Sequence, residues 1–150
     1  MHDQNEAWLH SLTMLTRHHF SLPLRVYYQD TDAGGVVYHS TYLNFMERAR
    51  YEWLRELGFN ANTLTAESKV LFMIRSIDIG YLKPAVLDDL LNITVSVLEV
   101  GRSRITLFQE VLCNRIKLAN ATIHVVCVDA EKLRPVSIPA SLREKIGKPA

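Results

Sequence analysis

Cysteine is scarce in this sequence. Cys113 and Cys127 are the only two in 150 residues, and both fall within apolar runs. That excludes a disulfide framework and a cysteine-based metal module, and it suits a reducing compartment. Long hydrophobic runs are missing as well: no stretch approaches the roughly 18 consecutive apolar residues of a spanning helix. The opening segment carries Asp3 and Glu6 and has no apolar run of leader length, so it is expected to remain on the mature chain. One-sided charge is absent too. Lys plus Arg number 17 against 16 acidic residues, a net charge of +1 with no block of like charges. Bulk attraction to nucleic acid or anionic lipid is therefore not expected. The expected location is the cytoplasm.

What is present is the composition of one ordinary globular domain, with 48% hydrophobic and 22% charged residues. At this length a chain buries enough surface for a core without staples. Residues 1–21 read as an N-terminal extension in which Trp8, Leu9, Leu12 and Leu15 fall at helical spacing. Residues 22–150 read as the domain. Residues 23–29 alternate as a strand. From Ser40, the positions Tyr42, Phe45, Met46, Ala49, Trp53 and Leu57 recur at helical steps until Gly58, predicting one long helix. The stretch 58–68 is polar, with room for a short helical turn.

Period two then takes over. Ile77, Ile79 and Tyr81 alternate up to Pro84; Leu91, Ile93, Val95 and Val97 follow, with a slip at Leu98–Val100 that predicts a bulge. Ile105, Leu107, Val111 and Cys113 share one face, as do Ile123, Val125 and Cys127. Short connections at 101–103 and 114–117 predict antiparallel hairpins, and a short helix is expected after Pro139. One long helix with five one-sided strands is satisfied most simply by an α+β fold in which the sheet wraps the helix.

Chemistry concentrates at the junction Tyr28-Gln29-Asp30-Thr31-Asp32-Ala33-Gly34-Gly35-Val36-Val37-Tyr38-His39, between a strand and a helix N-terminus. Backbone N–H groups of a first helical turn polarise a carbonyl placed against them. Gly34 and Gly35 let main chain approach a ligand closely. A carboxylate beside such a site can attack an activated carbonyl or take a proton from water. Alone, an Asp-x-Asp before Gly-Gly is an ordinary turn. A calcium loop fails because Thr41 stands where the bidentate Glu belongs and Gly34 holds the fifth position. A phosphate loop fails for want of Gly-Lys-Ser/Thr.

The stretch YYQDTDAGGVVYHSTYLNFMERAR resembles the signature of the 4-hydroxybenzoyl-CoA thioesterase-like branch of the hotdog-fold superfamily, and most closely its Tol-Pal-associated acyl-CoA thioester hydrolases. The resemblance runs from about Leu22 to Ile146 and includes YLKPAVLDDLL and VVCVDAEKLRP. It implies a hotdog fold, a five-stranded antiparallel sheet around one central helix, and hydrolysis of an acyl-CoA to a carboxylic acid and free CoA.

By the same resemblance Asp32 is the catalytic acid, as nucleophile through an acyl anhydride or as general base on water. The main-chain N–H at His39 polarises the carbonyl, the His39 side chain assists or orients the acid, and Gly34, Gly35 and Tyr38 shape the elbow. Asp30 braces the turn, since two bare carboxylates in one dry site repel. Glu47, spaced to pair with Arg48 and Arg50, is an ion-pair or solvated position.

Arg102 and Arg104, around Ser103, are candidates for the CoA phosphates by charge and location. His2, His10, His18, His19 and His124 lack metal-ligand spacing, so no metal is expected, and no cofactor beyond the CoA of the substrate. The resemblance further implies a homo-oligomer, dimer or tetramer, with sites at the interface, and a link to the Tol-Pal system. A hotdog dehydratase and a non-catalytic acyl-thioester-binding adaptor of an envelope complex are the alternatives.

Overall fold

The computed structural model describes residues 19–147. The expected helical stripe at Trp8–Leu15 and three of the histidines (His2, His10, His18) lie outside the described residues. Five strands form one antiparallel sheet in the order β1-β3-β4-β5-β2, namely β1 (Phe20–Arg25), β2 (Val70–Tyr81), β3 (Leu90–Val100), β4 (Arg104–Cys113) and β5 (Ile116–Asp129). The long helix α1 (Thr41–Glu56) lies in its concave face, and α2 (Ala61–Ser68) and α3 (Ala140–Ile146) close the ends.

The periodicity of α1 explains its place. Tyr42, Phe45, Met46, Ala49 and Trp53 are buried, and α1 packs against β1 and β3. The sheet answers with Leu91, Ile93 and Val95 of β3, Leu107 and Val111 of β4, and Ile123 and Cys127 of β5. Because alternate residues of a strand face opposite sides, one face of each strand supplies this core. The fold is thus the wrapped α+β architecture expected, with boundaries that differ at β1 and β2.

The strand predicted over 23–29 runs instead from Phe20 to Arg25, and Tyr28–Asp30 form a 3-10 turn. The carboxylate of Asp30 accepts the Tyr27 N–H at 2.8 Å and pulls the chain out of the sheet, although the apolar alternation continues. Pro23, which has no N–H to donate, is tolerated because β1 is an edge. β2 begins at Val70 rather than near Ser76; its first half is continuously apolar, and a register shift between Ile74 and Ser76 breaks the period. Cys113, on the shared face of β4, is half-buried and packs against the core.

Elsewhere the local signals hold. The slip at Leu98 is a register shift between Val97 and Glu99. The β4–β5 hairpin turns on Asn114 and Arg115, both at positive φ (50° and 67°), as a tight two-residue hairpin requires. The polar segment after Gly58 becomes α2, capped by Asn60, whose side chain accepts the Thr63 N–H at 2.9 Å.

One core bond ties α1 to the loop before β3. The buried Ala85 N–H donates to the Tyr42 hydroxyl at 3.0 Å. Tyr42→Phe leaves that donor without a partner and is expected to cost about 1–3 kcal/mol, read as a shift in the urea midpoint at unchanged slope. A shift near zero would show that the bond does not hold the loop.

Candidate active site

The junction between β1 and α1 is built from its own hydrogen bonds. Asp30 is buried, 6% exposed, with its carboxylate on the Tyr27 N–H and its carbonyl accepting the Tyr38 N–H at 3.1 Å. Thr31 and Val37 form a bridge across the base. Within it the Asp32 N–H donates to the Val36 carbonyl at 2.8 Å, and the Gly35 N–H to the Asp32 carbonyl at 3.0 Å. Gly35 turns at φ +79°, which an L side chain rarely adopts. Gly34 is closely fitted for another reason: a Cβ there would stand 3.2 Å from Asp32 Oδ1, so the carboxylate would have to shift.

These bonds present Asp32 and withdraw Asp30. Asp32 is exposed. Its Oδ1 accepts the Gly34 N–H at 2.7 Å, while Oδ2 has no protein partner among the described residues. Next to it the chain enters α1. Ser40, at the helix N-cap, makes no side-chain cap bond, and no acidic residue stands in the first turn. Among the described residues the His39 main-chain N–H has no acceptor. The elbow that leads into α1 thus holds both a carboxylate with one uncommitted oxygen and, among the described residues, a main-chain donor without an acceptor.

A second segment locks the elbow. The Val37 N–H donates to the Ala85 carbonyl at 2.9 Å, and Val36 and Val86 form a bridge. The Tyr81 hydroxyl donates to the His39 carbonyl at 2.7 Å. Burial pushes the Tyr81 phenol above its ordinary pKa, with Tyr42 adding to the shift, so the donor stays protonated. The ring of Tyr38 packs on that of His39 at 4.3 Å between centroids. Neither Tyr42 nor Tyr81 had been assigned a site role; their only signal was an apolar pattern.

The described structure does not unite every candidate. Arg25 of β1 pairs with Leu90 at the start of β3, whereas Arg102–Arg104 follow its far end, so the hairpin lies at the other end of the sheet from the elbow. There Arg102 Nε donates to Ser137 Oγ at 2.7 Å, and the Ser103 carbonyl accepts the Cys127 N–H. Glu47 is solvated and, among the described residues, reaches no cation within ion-pair distance. Arg50 turns instead to the core, where its Nη1 donates to Oε1 of the fully buried Gln109 at 2.9 Å. Gln109, which interrupts the apolar alternation of β4, was the available sign of this contact.

Beside Arg50 lies a cavity of about 360 Å³, walled by Tyr51, Trp53, Leu64, Val70, Phe72 and Leu107 and rimmed by Glu47. Burial pushes the Cys127 thiol up to about 11, so it holds no thiolate at neutral pH and is no nucleophile. Among the described residues no group of three or more His, Cys, Asp or Glu is placed to hold a metal ion, and no helix is long and apolar enough to cross a membrane.

The model of the Thioesterase-like superfamily matches residues 26–146. An acyl-CoA thioesterase, YbgC, of Haemophilus influenzae is 47% identical over 124 residues, 83% of this chain and 91% of its own. The acyl-CoA thioester hydrolase YbgC of Escherichia coli is 43% identical over 124 residues, 82% of this chain and 92% of its own. Among solved structures, a probable thioesterase from Bartonella henselae superposes with a TM-score of 0.76 at 34% identity, covering 79% of this chain and 98% of that one.

The turn itself is testable. Asp30→Ala removes the acceptor for the Tyr27 N–H and is expected to destabilise by about 1–2 kcal/mol. Asp30→Asn, which keeps an acceptor, is expected to cost less than half as much in the same thermal melts. Equal losses would mean that the charge of Asp30, and not its acceptor, holds the turn.

Proposed function

The chain belongs to the Thioesterase-like superfamily, and from that premise we propose that it hydrolyses an acyl-CoA at the Asp32 elbow. Water and the thioester give a carboxylic acid and free CoA. The observation that carries this reading is that, within one elbow, Asp32 Oδ2 and the His39 main-chain N–H both lack a protein partner among the described residues. The thioester carbonyl oxygen takes that N–H, and its developing charge is stabilised by the helix N-terminus. Asp32 then either adds to the carbonyl carbon, expelling the CoA thiolate and leaving an anhydride for water to open, or takes a proton from the attacking water. Both routes require the same oxygen to be free. On the resemblance, the His39 side chain assists or orients the acid, and the glycines admit the substrate to the main chain. The hydrolysis draws on carboxylate, water and main chain and needs no cofactor.

The proposal includes a second copy of the chain. β2 has twelve residues, pairs with β5 only, and exposes Met73 and Ile74 at 41% and 42%. A long apolar edge of this kind invites another strand. Two copies related by a two-fold pair β2 with β2 antiparallel, and a pairing that covers most of the strand centres near Arg75–Ser76. The Tyr81 end of one copy then lies against the Val70 end of the other.

Since Met73 pairs with Val126, and Val126 with Arg104, the Arg102–Arg104 hairpin of that second copy also comes to the elbow's end of the sheet. Cations for the CoA phosphates would be supplied there. The exposed Tyr28 (81%) and Leu82 (55%) near the elbow fit a site left open in one copy. A cytoplasmic location and the Tol-Pal link belong to the same proposal and rest on the resemblance.

Free thiol released from a panel of acyl-CoAs, by wild type and Asp32→Asn, tests the chemistry. Turnover is expected to fall by about 10²–10⁴-fold in the variant with its melting curve unchanged; full turnover would remove Asp32 from the mechanism. No release by a folded wild type would move the weight to a dehydratase or an adaptor. For the assembly, Met73→Glu is expected to shift sedimentation towards monomer and to lower turnover with it; an active monomer would sink the shared site.

A further inference from the structure

The cavity beside α1 holds a charge that its walls do not satisfy. Arg50 is the one cation in a lining that is otherwise apolar apart from Glu47 and Thr65. A guanidinium has five N–H donors. One acceptor is present, Gln109 Oε1 at 2.9 Å, and no carboxylate stands within 4.0 Å among the described residues. Burial pulls the Arg50 pKa down, and the charge of Glu47 opposes this only from a distance. Gln109 is itself fixed, its Nε2 donating to the Met46 carbonyl at 3.0 Å. The guanidinium is therefore held by the core with most of its fork unused. A half-buried cation in that condition is costly unless an anion meets it, and a carboxylate fits the fork with two parallel bonds.

The cavity wall includes Val70, Leu71, Phe72 and Ile74, the part of β2 that a second copy would bring beside its own elbow. In that arrangement the wall adjoins the elbow of the second copy, and the cavity's volume of about 360 Å³ is in the range of small-ligand sites. We infer that Arg50 receives the far end of the acyl group, and that the substrates are acyl-CoAs whose chain ends in a second carboxylate. The inference rests on the thioesterase reading of the Asp32 elbow and deepens it: Arg50 determines specificity and touches no reacting atom. Glu47, at the rim, works against an anionic chain.

The test compares chains of equal length with and without the terminal carboxylate: succinyl- and butyryl-CoA, adipoyl- and hexanoyl-CoA, suberoyl- and octanoyl-CoA. The quantity read is the ratio of kcat/KM within each pair. Wild type is expected to favour the carboxylate at one length at least. Arg50→Met is expected to lower that ratio by about tenfold to a hundredfold, and Arg50→Lys by less. A structural role for Arg50 would lower both members of a pair together and leave the ratio unchanged, which overturns the inference. Glu47→Gln alters an exposed side chain and does not threaten folding; it is expected to raise the ratio severalfold, and no change would also count against the inference.

Calorimetric titration of the protein with free adipate and free hexanoate separates the two readings. Preferential binding of adipate that is lost in Arg50→Met, with no thioester hydrolysed, keeps the Arg50 pocket and removes the hydrolase. Hydrolysis of both members of a pair without preference keeps the hydrolase and removes the pocket.

Discussion

Everything in this structure follows from the need to bury the apolar stripe of α1. A flat sheet would cover it less completely. Strands with a single apolar face, joined by tight hairpins and bent by register shifts near Leu98 and Ile74, curl far enough to enclose Phe45, Met46 and Ala49 completely. The cost of that solution is geometric. A helix laid along a curved sheet enters and leaves at its rim, so its N-terminus comes to the surface, where the Thr41 and Leu43 N–H groups turn back on the Tyr38 and Ser40 carbonyls and the His39 N–H has no acceptor among the described residues. The candidate site is placed there because the core has nowhere else to put the end of the helix.

The rim is then made rigid by polar bonds that the apolar pattern does not announce. Asp30 anchors the turn from inside, Tyr81 holds the His39 carbonyl, and Ala85 is bonded from both sides, giving its carbonyl to Val37 and its N–H to Tyr42. Two aspartates only two residues apart thus end in opposite environments. One is buried as a brace and the other is exposed, because Asp30 closes the 3-10 turn and bonds back to Tyr27 whereas Asp32 opens the next turn and bonds forward to Gly34.

Architecture was legible in the sequence where periodicity was strong. The α1 stripe, the β3–β4–β5 alternation, the bulge after Val97 and the Asn114 turn all stood in the pattern, and the DTDAGG junction pointed to the elbow. Legibility failed where a local bond or a missing neighbour outweighed the period. The first strand ends early because the Asp30 carboxylate captures a main-chain N–H. β2 begins early because an edge strand can be apolar on both sides, which erases the alternation. The Arg50–Gln109 contact joins residues 59 apart, and only the fold brings them together; what the sequence did show was a glutamine out of step on an apolar face.

Strand order also distributes chain entropy unevenly. β3, β4 and β5 neighbour one another through short turns, whereas β1 reaches β3 and β2 reaches β5 only by closing long stretches of chain. Closure cost grows with the logarithm of the loop, so the central meander is the inexpensive part of the fold and its two borders the expensive part. The elbow is strung between those borders, following β1 and clasped by the segment that leaves β2. The machinery therefore occupies the region whose ordering draws least on nearby sequence, and any contact that steadies the β2 border from outside steadies the elbow with it.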